Sequence, residues 1–248
     1  MRITDDIWLV GSGAAGFSIT HSRDCHVYLV ADDAEAVLVD SGAGIEDAAA
    51  VLAEIDRCGV PRAAIQRILL THAHADHSGG AAALQEALGA RVLASPEVAS
   101  YLRDGDERAA SLDRMRQPGG YPNDYILRAC EIDGELIDGQ RLTVGSLELE
   151  VLATPGHSSG HLAYALYRRS GVDLFSGDAA FANGRILLQD LWDCSITDST
   201  RSIRRLAGLR PGGLYPGHGM FAVHQGSHHL YSAMEDVVSG LPPRQLTF

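Results

Sequence analysis

The stretch 26–42, "HVYLVADDAEAVLVDSG", sets the strongest limit on the fold. Its two apolar runs, "HVYLV" at 26–30 and "AVLVDSG" at 36–42, are separated only by a short polar turn. Runs of this kind, joined this closely, pair as an antiparallel hairpin. Parallel neighbours would need a crossover of roughly a dozen residues or more, which the spacing forbids. The consequence reaches upstream. "IWLVGSGAAG" at 7–16 carries G-x-G-x-x-G in Gly11, Gly13 and Gly16, with Asp32 and Asp33 behind the next apolar run, close to a dinucleotide-binding fingerprint. That fingerprint requires a strand, a helix and a parallel second strand. The intervening "FSITHSRDC" is short and holds β-branched Ile19 and Thr20, so it makes a poor helix. Asp32 and Asp33 therefore read as hairpin-turn residues, the glycines as a flexible loop between the first two strands, and nucleotide binding is set aside.

Downstream, "IEDAAAVLAEIDRCG" (45–59) has helical apolar spacing and a terminating glycine. A strand at 65–72, a helix at 78–89 and a strand at 90–95 then make a β-loop-α-β unit. Residues 96–129 are polar, helical in places and broken by "QPGGYPND" (117–124), and they read as an insertion or lid. Short strands return in "RLTVG", "LELEVLATPGH", "HLAYALYR", "VDLFSGD" and "GRILLQD" (184–190). A helix at 199–209, a strand running into a loop at 213–219 and a last helix over 225–239 complete the pattern. Strands and helices thus fall into two similar halves, neither all-β nor simply alternating.

Charge and composition exclude several classes. Asp and Glu outnumber Lys and Arg by 32 to 20, a net charge of −12, whereas phosphate contacts need clustered basic residues. No nucleic-acid partner is expected. No apolar run reaches the roughly 18 residues of a membrane span, and no membrane partner is expected. "MRITDDIWLV" has two acids before its short apolar run and no apolar region of signal-peptide length. Cys25, Cys58, Cys130 and Cys194 are widely spread without a C-x-x-C, as for free thiols in the cytoplasm. Histidine is the unusual count, at 11.

Four of the ligand-type side chains fall in "THAHADHSGG" (71–80), which reads H-x-H-x-D-H in His72, His74, Asp76 and His77. In extended backbone, residues i and i+2 point the same way, so His72 and His74 can share one metal. Asp76 and His77 lie beyond the turn and can point to a second. Imidazole and carboxylate suit Zn²⁺ or another borderline first-row ion. Helix capping by Asp76 or Ser78 would call for one such residue, not for three histidines. His157 in "ATPGHSSG", Asp178 in "LFSGDAAF" and His218 in "YPGHG" repeat a local form, a strand and then a glycine-flanked ligand. His161 reads as a supporting or packing residue, and His224, His228 and His229 as a solvated helix face.

In this order, with Asp40 in "VLVDSG" ahead of them, the motifs resemble the metallo-β-lactamase superfamily over nearly the whole chain, from "HVYLV" to "YPGHG". The resemblance implies an α/β fold, a four-layer αβ/βα sandwich of two mixed β-sheets with helices outside and metals on loops at the sheet edge. It implies a single domain over 1–248, with the lid or insertion at about 96–129. It also implies two divalent ions, Zn²⁺ with Fe²⁺ or Mn²⁺ as alternatives. One would be held by His72, His74 and His157, the other by Asp76, His77 and His218, with Asp178 bridging. Asp40 would be the acid behind the site, orienting a ligand imidazole through its free N–H.

A hydroxide bridging two such ions would attack a carbonyl carbon, with Asp76 orienting it and passing a proton to the leaving group. Among the family's activities, His74 stands where flavodiiron proteins carry an acid. Phe181 stands three positions after the bridging aspartate, where the acyl-homoserine lactonases carry a tyrosine. Only 30 residues follow His218, fewer than the glutathione-gripping extension of glyoxalase II needs. The expectation is a cytoplasmic hydrolase of a small-molecule acyl substrate, a lactone or ester or else a thioester, with a homodimer as an open assembly. Phe17, Phe181 and Trp192, with Tyr121 and Tyr125, either wall a substrate pocket or belong to the core. The rivals are a β-lactamase-like amide hydrolase and a mononuclear iron dioxygenase of the persulfide type, using His72, His157 and Asp178.

Overall fold

A computed structural model describes residues 1–116 and 121–247. The chain forms two compact units, Met1–Leu136 and Ile137–Phe248. Among the described residues, the strands of the first unit make one mixed sheet in sequence order: β1 (Ile7–Gly11), β2 (Val27–Asp32), β3 (Glu35–Val39), β4 (Ile65–Leu69), β5 (Arg91–Ala94) and β6 (Gly134–Glu135). The expected hairpin is present. β2 and β3 run antiparallel, Val30 faces Val37, and the register closes at Asp32 opposite Glu35. Asp33 takes a left-handed conformation in the turn, φ 53°, which Asp tolerates better than a branched residue. From β3 to β6 every neighbour is parallel.

Helices fill the crossovers of this unit. The predicted helix at 45–59 opens with Glu46, Asp47 and Ala48 in left-handed conformation, and the regular helix α1 is Ala49–Cys58. Its Val51 and Ile55, one turn apart, are buried beside Val27, Leu29 and Leu38 of the sheet. Each such burial stabilises by roughly 1.5–3 kcal/mol. Gly59 ends α1 at φ 75°. The predicted helix at 78–89 splits into α2 (Ala75–Ser78) and α3 (Ala81–Leu88), with Gly79 and Gly80 between them.

In the stretch read as a lid, α4 (Pro96–Asp104) is capped by Ser95, whose side chain accepts from the Val98 N–H at 3.2 Å. The short α5 (Leu112–Met115) follows. Ala99, Leu102, Leu112, Tyr121 and Leu127 join the core of the first unit. Part of "QPGGYPND", residues 117–120, lies outside the described residues.

The second unit is built on a meander, β7 (Arg141–Val144), β8 (Leu147–Ala153), β9 (Leu162–Arg168) and β10 (Gly171–Gly177). The predicted strand at 184–190 is reduced to β11 (Arg185–Ile186). Beyond Ile186 the backbone groups are diverted: Leu187 O accepts from the His157 ring, and Leu188 N–H donates to the Gln245 side chain. Then come α6 (Ile196–Gly208), β12 (Gly213–Pro216), α7 (Gly226–Val238) and β13 (Arg244–Gln245), which pairs in parallel with β11. The main sheet runs β12-β10-β9-β8-β7, with β12 parallel to β10 and the other pairs antiparallel. α6 starts at a Ser195 cap and buries Ile203, Leu206 and Ala207 against Leu174 and Leu214 of the sheet. No helix among the described residues is long and apolar enough to cross a membrane.

Candidate metal centre

In the first unit β4 ends at Leu69, and the next residues leave the sheet as a buried polar loop. His72 and His74, two residues apart in a loop that bends at Thr71 and Ala73, come together with His72 Nε2 3.1 Å from His74 Nδ1. Asp76 and His77 lie on α2, where consecutive side chains diverge by about 100°. Asp76 Oδ2 still stands 3.7 Å from His77 Nε2. No side chain caps α2: its N-cap residue is His74, with no cap hydrogen bond.

Behind these donors lies Asp40, directly after β3, in left-handed backbone at φ 62°. Its Oδ2 is 2.8 Å from His77 Nδ1, and its Oδ1 accepts from the Thr71 N–H at 2.7 Å. The Thr71 hydroxyl is 3.0 and 2.9 Å from the two carboxylate oxygens and 2.9 Å from His72 Nδ1. The loop after Asp40 is tied to the histidine loop, since Ser41 donates to His77 O through both N–H (2.8 Å) and Oγ (2.7 Å). Gly79 and Gly80 make this approach possible. A Cβ on Gly80 would lie 2.2 Å from Ser41 O, and one on Gly79 2.6 Å from Ala43 O. Cys25 packs here too, with its sulfur and the donors of Asp40 and His77 all within 4.8 Å of one another. Burial pushes its thiol up to about 12, so at neutral pH it is a protonated packing neighbour and not a thiolate.

In the second unit β8, β10 and β12 each run into one predicted ligand. Asp178 Oδ2 is 3.5 Å from His157 Nε2 and 3.6 Å from His218 Nε2, so one carboxylate oxygen lies near two imidazoles. The loops are held from behind. His157 Nδ1 donates to Leu187 O at 2.7 Å, and the Cys194 thiol donates to His157 O at 2.9 Å. Gly217 N–H donates to Gly177 O at 2.8 Å, keeping the His218 loop beside the Asp178 loop. His161 takes the supporting place read for it. Its Nε2 accepts from the Asp178 N–H at 3.1 Å, and its Nδ1 lies 2.9 Å from Thr154 Oγ1.

These spacings suit a bound divalent ion. Tetrahedral ligands at about 2.0–2.2 Å from Zn²⁺ stand about 3.3–3.6 Å from one another. Within each unit the donor pairs fall near that edge length, at 3.1 and 3.7 Å in the first and 3.5 and 3.6 Å in the second. The donors are imidazole and carboxylate throughout, and two of the histidines offer Nε2 while Nδ1 is occupied by Asp40 or by Leu187 O.

The profile of the metallo-beta-lactamase superfamily matches residues 22–218. This chain belongs to that superfamily. Among curated relatives, the beta-lactamase-like protein 2 homolog of Drosophila melanogaster is 27% identical over 78% of this chain and 58% of its own length. A hydroxyacylglutathione hydrolase of Pseudomonas entomophila is 32% identical over 75% of this chain and 58% of its own length. The chain thus spans 58% of the length of each of these two relatives. An acyl-coenzyme A thioesterase of Gallus gallus is 28% identical over 86% of this chain and 78% of its own length. Among solved structures, a Cronobacter sakazakii metallo-beta-lactamase with a HARLDQ motif aligns at TM-score 0.73 and 20% identity, covering 97% of this chain and 95% of that one. The subclass B3 enzyme BJP-1 of Bradyrhizobium japonicum aligns at TM-score 0.70 and 22% identity, covering 97% and 92%. At these identities the structural likeness speaks to fold, and the fold class is that of the metallo-β-lactamases: mixed sheets with flanking helices.

The remaining predicted positions of this metallo-β-lactamase-fold chain separate by burial. Phe17 and Trp192 are exposed, at 41% and 60%, whereas Phe181 is fully enclosed and its N–H donates to Arg185 O. Tyr121 is buried against Tyr125, ring centres 4.7 Å apart, and Tyr125 donates to Ala43 O at 2.8 Å. Burial first, and then the negative charge of Asp76, raises both phenols above the ordinary tyrosine value. The glycine-rich stretch at 11–16 is a packed loop. A Cβ on Gly13 would lie 2.5 Å from Ser22 O, and one on Gly16 2.2 Å from His26 Cε1. His229 is more than a solvated residue, since its Nδ1 accepts from the Asn183 N–H at 3.0 Å. Sequence reasoning passed over Thr71 and the Gly79–Gly80 pair, whose only signal was adjacency to the histidine motif.

Proposed function

We propose that this chain is a dinuclear metal-dependent hydrolase of small acyl compounds, with residues 1–248 working as one catalytic domain. One ion is assigned to His72, His74 and His157, the other to Asp76, His77 and His218, with Asp178 shared. Zn²⁺ is the proposed ion, with Fe²⁺ or Mn²⁺ as alternatives. The observation that carries the reading is Asp178, whose single oxygen Oδ2 stands 3.5 and 3.6 Å from two imidazoles given to different ions. The family match runs from 22 to 218 and includes every assigned ligand, which supports taking them together.

Two divalent ions held there would lower the pKa of a water and polarise a substrate carbonyl. The chain's own groups do the rest. Asp40 and Leu187 O hold the N–H of His77 and His157, so that Nε2 is the nitrogen each would turn to an ion. Asp76 is half-buried, and its carboxylate is the group proposed to orient the attacking water and to return a proton to the departing group. Phe17 and Trp192, both exposed, are the proposed substrate contacts, whereas Phe181 is buried and is assigned to packing within the second unit. The sequence put lactone or ester first. Relatives named hydroxyacylglutathione hydrolase and acyl-coenzyme A thioesterase support moving the thioester ahead of them. The proposal keeps a cytoplasmic setting, a homodimer as the assembly to test, and no nucleic-acid or membrane partner.

The test is a panel of acyl thioesters, lactones, β-lactams and phosphodiesters offered to the metal-loaded protein and to Asp76→Asn. Thioester or ester turnover is expected, reduced roughly 10²–10⁴-fold by the substitution. Turnover of none of the acyl compounds, with oxygen consumption on a persulfide, would favour the iron dioxygenase instead.

A further inference from the structure

A neutral imidazole ligates a metal only through the nitrogen that carries no proton, so something must decide which nitrogen that is. His72 and His77 are assigned to different ions under the proposed function, on which this inference rests. The Nδ1 of His77 lies 2.8 Å from Asp40 Oδ2, and the Nδ1 of His72 lies 2.9 Å from Thr71 Oγ1. That same hydroxyl lies 3.0 and 2.9 Å from the two oxygens of Asp40. The geometry points to Thr71 as a positioning residue that extends the reach of Asp40 to His72. One buried carboxylate then fixes the tautomer of a ligand to each of the two proposed ions.

Counting protons gives the direction. A carboxylate only accepts, and a hydroxyl has one proton to give. A hydrogen bond to a carboxylate is charge-assisted and about twice as strong as one to a neutral acceptor, so the Thr71 proton goes to Asp40. The Thr71 oxygen then presents a lone pair to His72 Nδ1, which must supply the N–H, so that Nε2 carries no proton. In the opposite arrangement His72 would carry its proton on Nε2 and aim it at His74 Nδ1, 3.1 Å away. That would close both donors of this pair to a metal. The relay is rigid: Thr71, His72, Asp40 and His77 are all at most 1% exposed. The Thr71 N–H donates to Asp40 Oδ1 at 2.7 Å, and the Asp40 N–H donates to Leu69 O at 2.9 Å.

Thr71→Val keeps the shape and the backbone bond and removes the hydroxyl, while Thr71→Ser keeps the hydroxyl. The first readout needs no metal. Long-range ¹H–¹⁵N spectra of the histidines should show His72 protonated on Nδ1 in the wild type and in Thr71→Ser, and a shift towards Nε2 in Thr71→Val. The second is titration of metal-free protein with Zn²⁺ against a chromophoric chelator, with Co²⁺ spectra to tell the sites apart. Thr71→Val should lose roughly 10–100-fold in affinity at one site, the cost typical of removing a ligand's outer partner, while the other stays within about threefold. Thr71→Ser should match the wild type at both. Thr71→Ala carries the same expectations if Thr71→Val does not fold. Unchanged tautomer and unchanged affinities in Thr71→Val would overturn the relay, as would Thr71→Ser behaving like Thr71→Val. Failure of the wild type itself to bind two ions would count against the ligand assignment, a separable outcome.

Discussion

Gly80→Ala tests whether the histidine loop and the Asp40 loop are locked by backbone contact. Gly80 precedes α3 at φ −82°, an ordinary right-handed conformation. On backbone grounds alone, alanine there would stabilise by roughly 0.4–1 kcal/mol. The packing argues the reverse, because the new Cβ would lie 2.2 Å from Ser41 O and 3.1 Å from Ser41 C. Restoring an ordinary contact means parting two backbone segments by about 1 Å. Three hydrogen bonds join them: Gly80 N–H to Gly42 O (2.9 Å), and Ser41 N–H (2.8 Å) and Oγ (2.7 Å) to His77 O. At about 0.5–1.5 kcal/mol each, their loss costs about 1.5–4.5 kcal/mol, and the net destabilisation is about 0.5–4 kcal/mol. Urea unfolding of metal-free protein measures it. Gly208→Ala is the control, since its Cβ would meet open space, and it should be neutral or slightly stabilising. A Gly80→Ala protein as stable as the wild type would mean that the two loops are not locked by backbone contact.

Asp40→Asn should fold, because its Oδ1 can still accept from Thr71, but its amide would face His77 Nδ1 with a donor; chelator competition should show metal binding weakened roughly 10–100-fold. Burial and then His228 lower the pKa of His229, so its neutral form is favoured in the fold. Its contribution is therefore full above the unfolded value of 6.5 and is lost as pH falls through the lower folded value. As pH falls below 6.5 through the lower folded value, the protection factor of the Asn183 amide (its exchange rate corrected for the intrinsic pH dependence) should drop in the wild type as its acceptor is protonated, and should stay pH-independent in His229→Ala. Thiol labelling of native protein at neutral pH should modify Cys58 and Cys194, both partly exposed, well before Cys25, whose thiol is fully buried and raised to about 12.

The parts of the fold legible in the sequence are those fixed by neighbours in the chain. The β2–β3 hairpin follows from two apolar runs and one turn, and it alone removes the nucleotide-binding reading. β6 was not legible, because it is only Gly134–Glu135 and owes its existence to pairing with Leu93–Ala94 of β5. The break between α2 and α3 was hidden for a similar reason: Gly79 and Gly80 answer to the backbone of residues 41–43, distant in sequence. In the candidate site, the H-x-H-x-D-H spacing reports part of its own geometry, since His72 meets His74 two residues on across a single bend and Asp76 is the chain neighbour of His77 on α2. Thr71 looked like any threonine at a strand end. Only the folded chain shows its hydroxyl between Asp40 and His72.

The measurement that bears most directly on the proposed dinuclear hydrolase is metal content by elemental analysis of the purified protein, paired with acyl-thioester hydrolysis before and after chelation. The expected result is close to two divalent ions per chain, hydrolysis abolished by their removal and restored by Zn²⁺, and in Asp178→Asn a loss of binding at both sites, because Asp178 Oδ2 stands by both His157 and His218. One iron per chain, with oxygen uptake and no acyl hydrolysis, would contradict it.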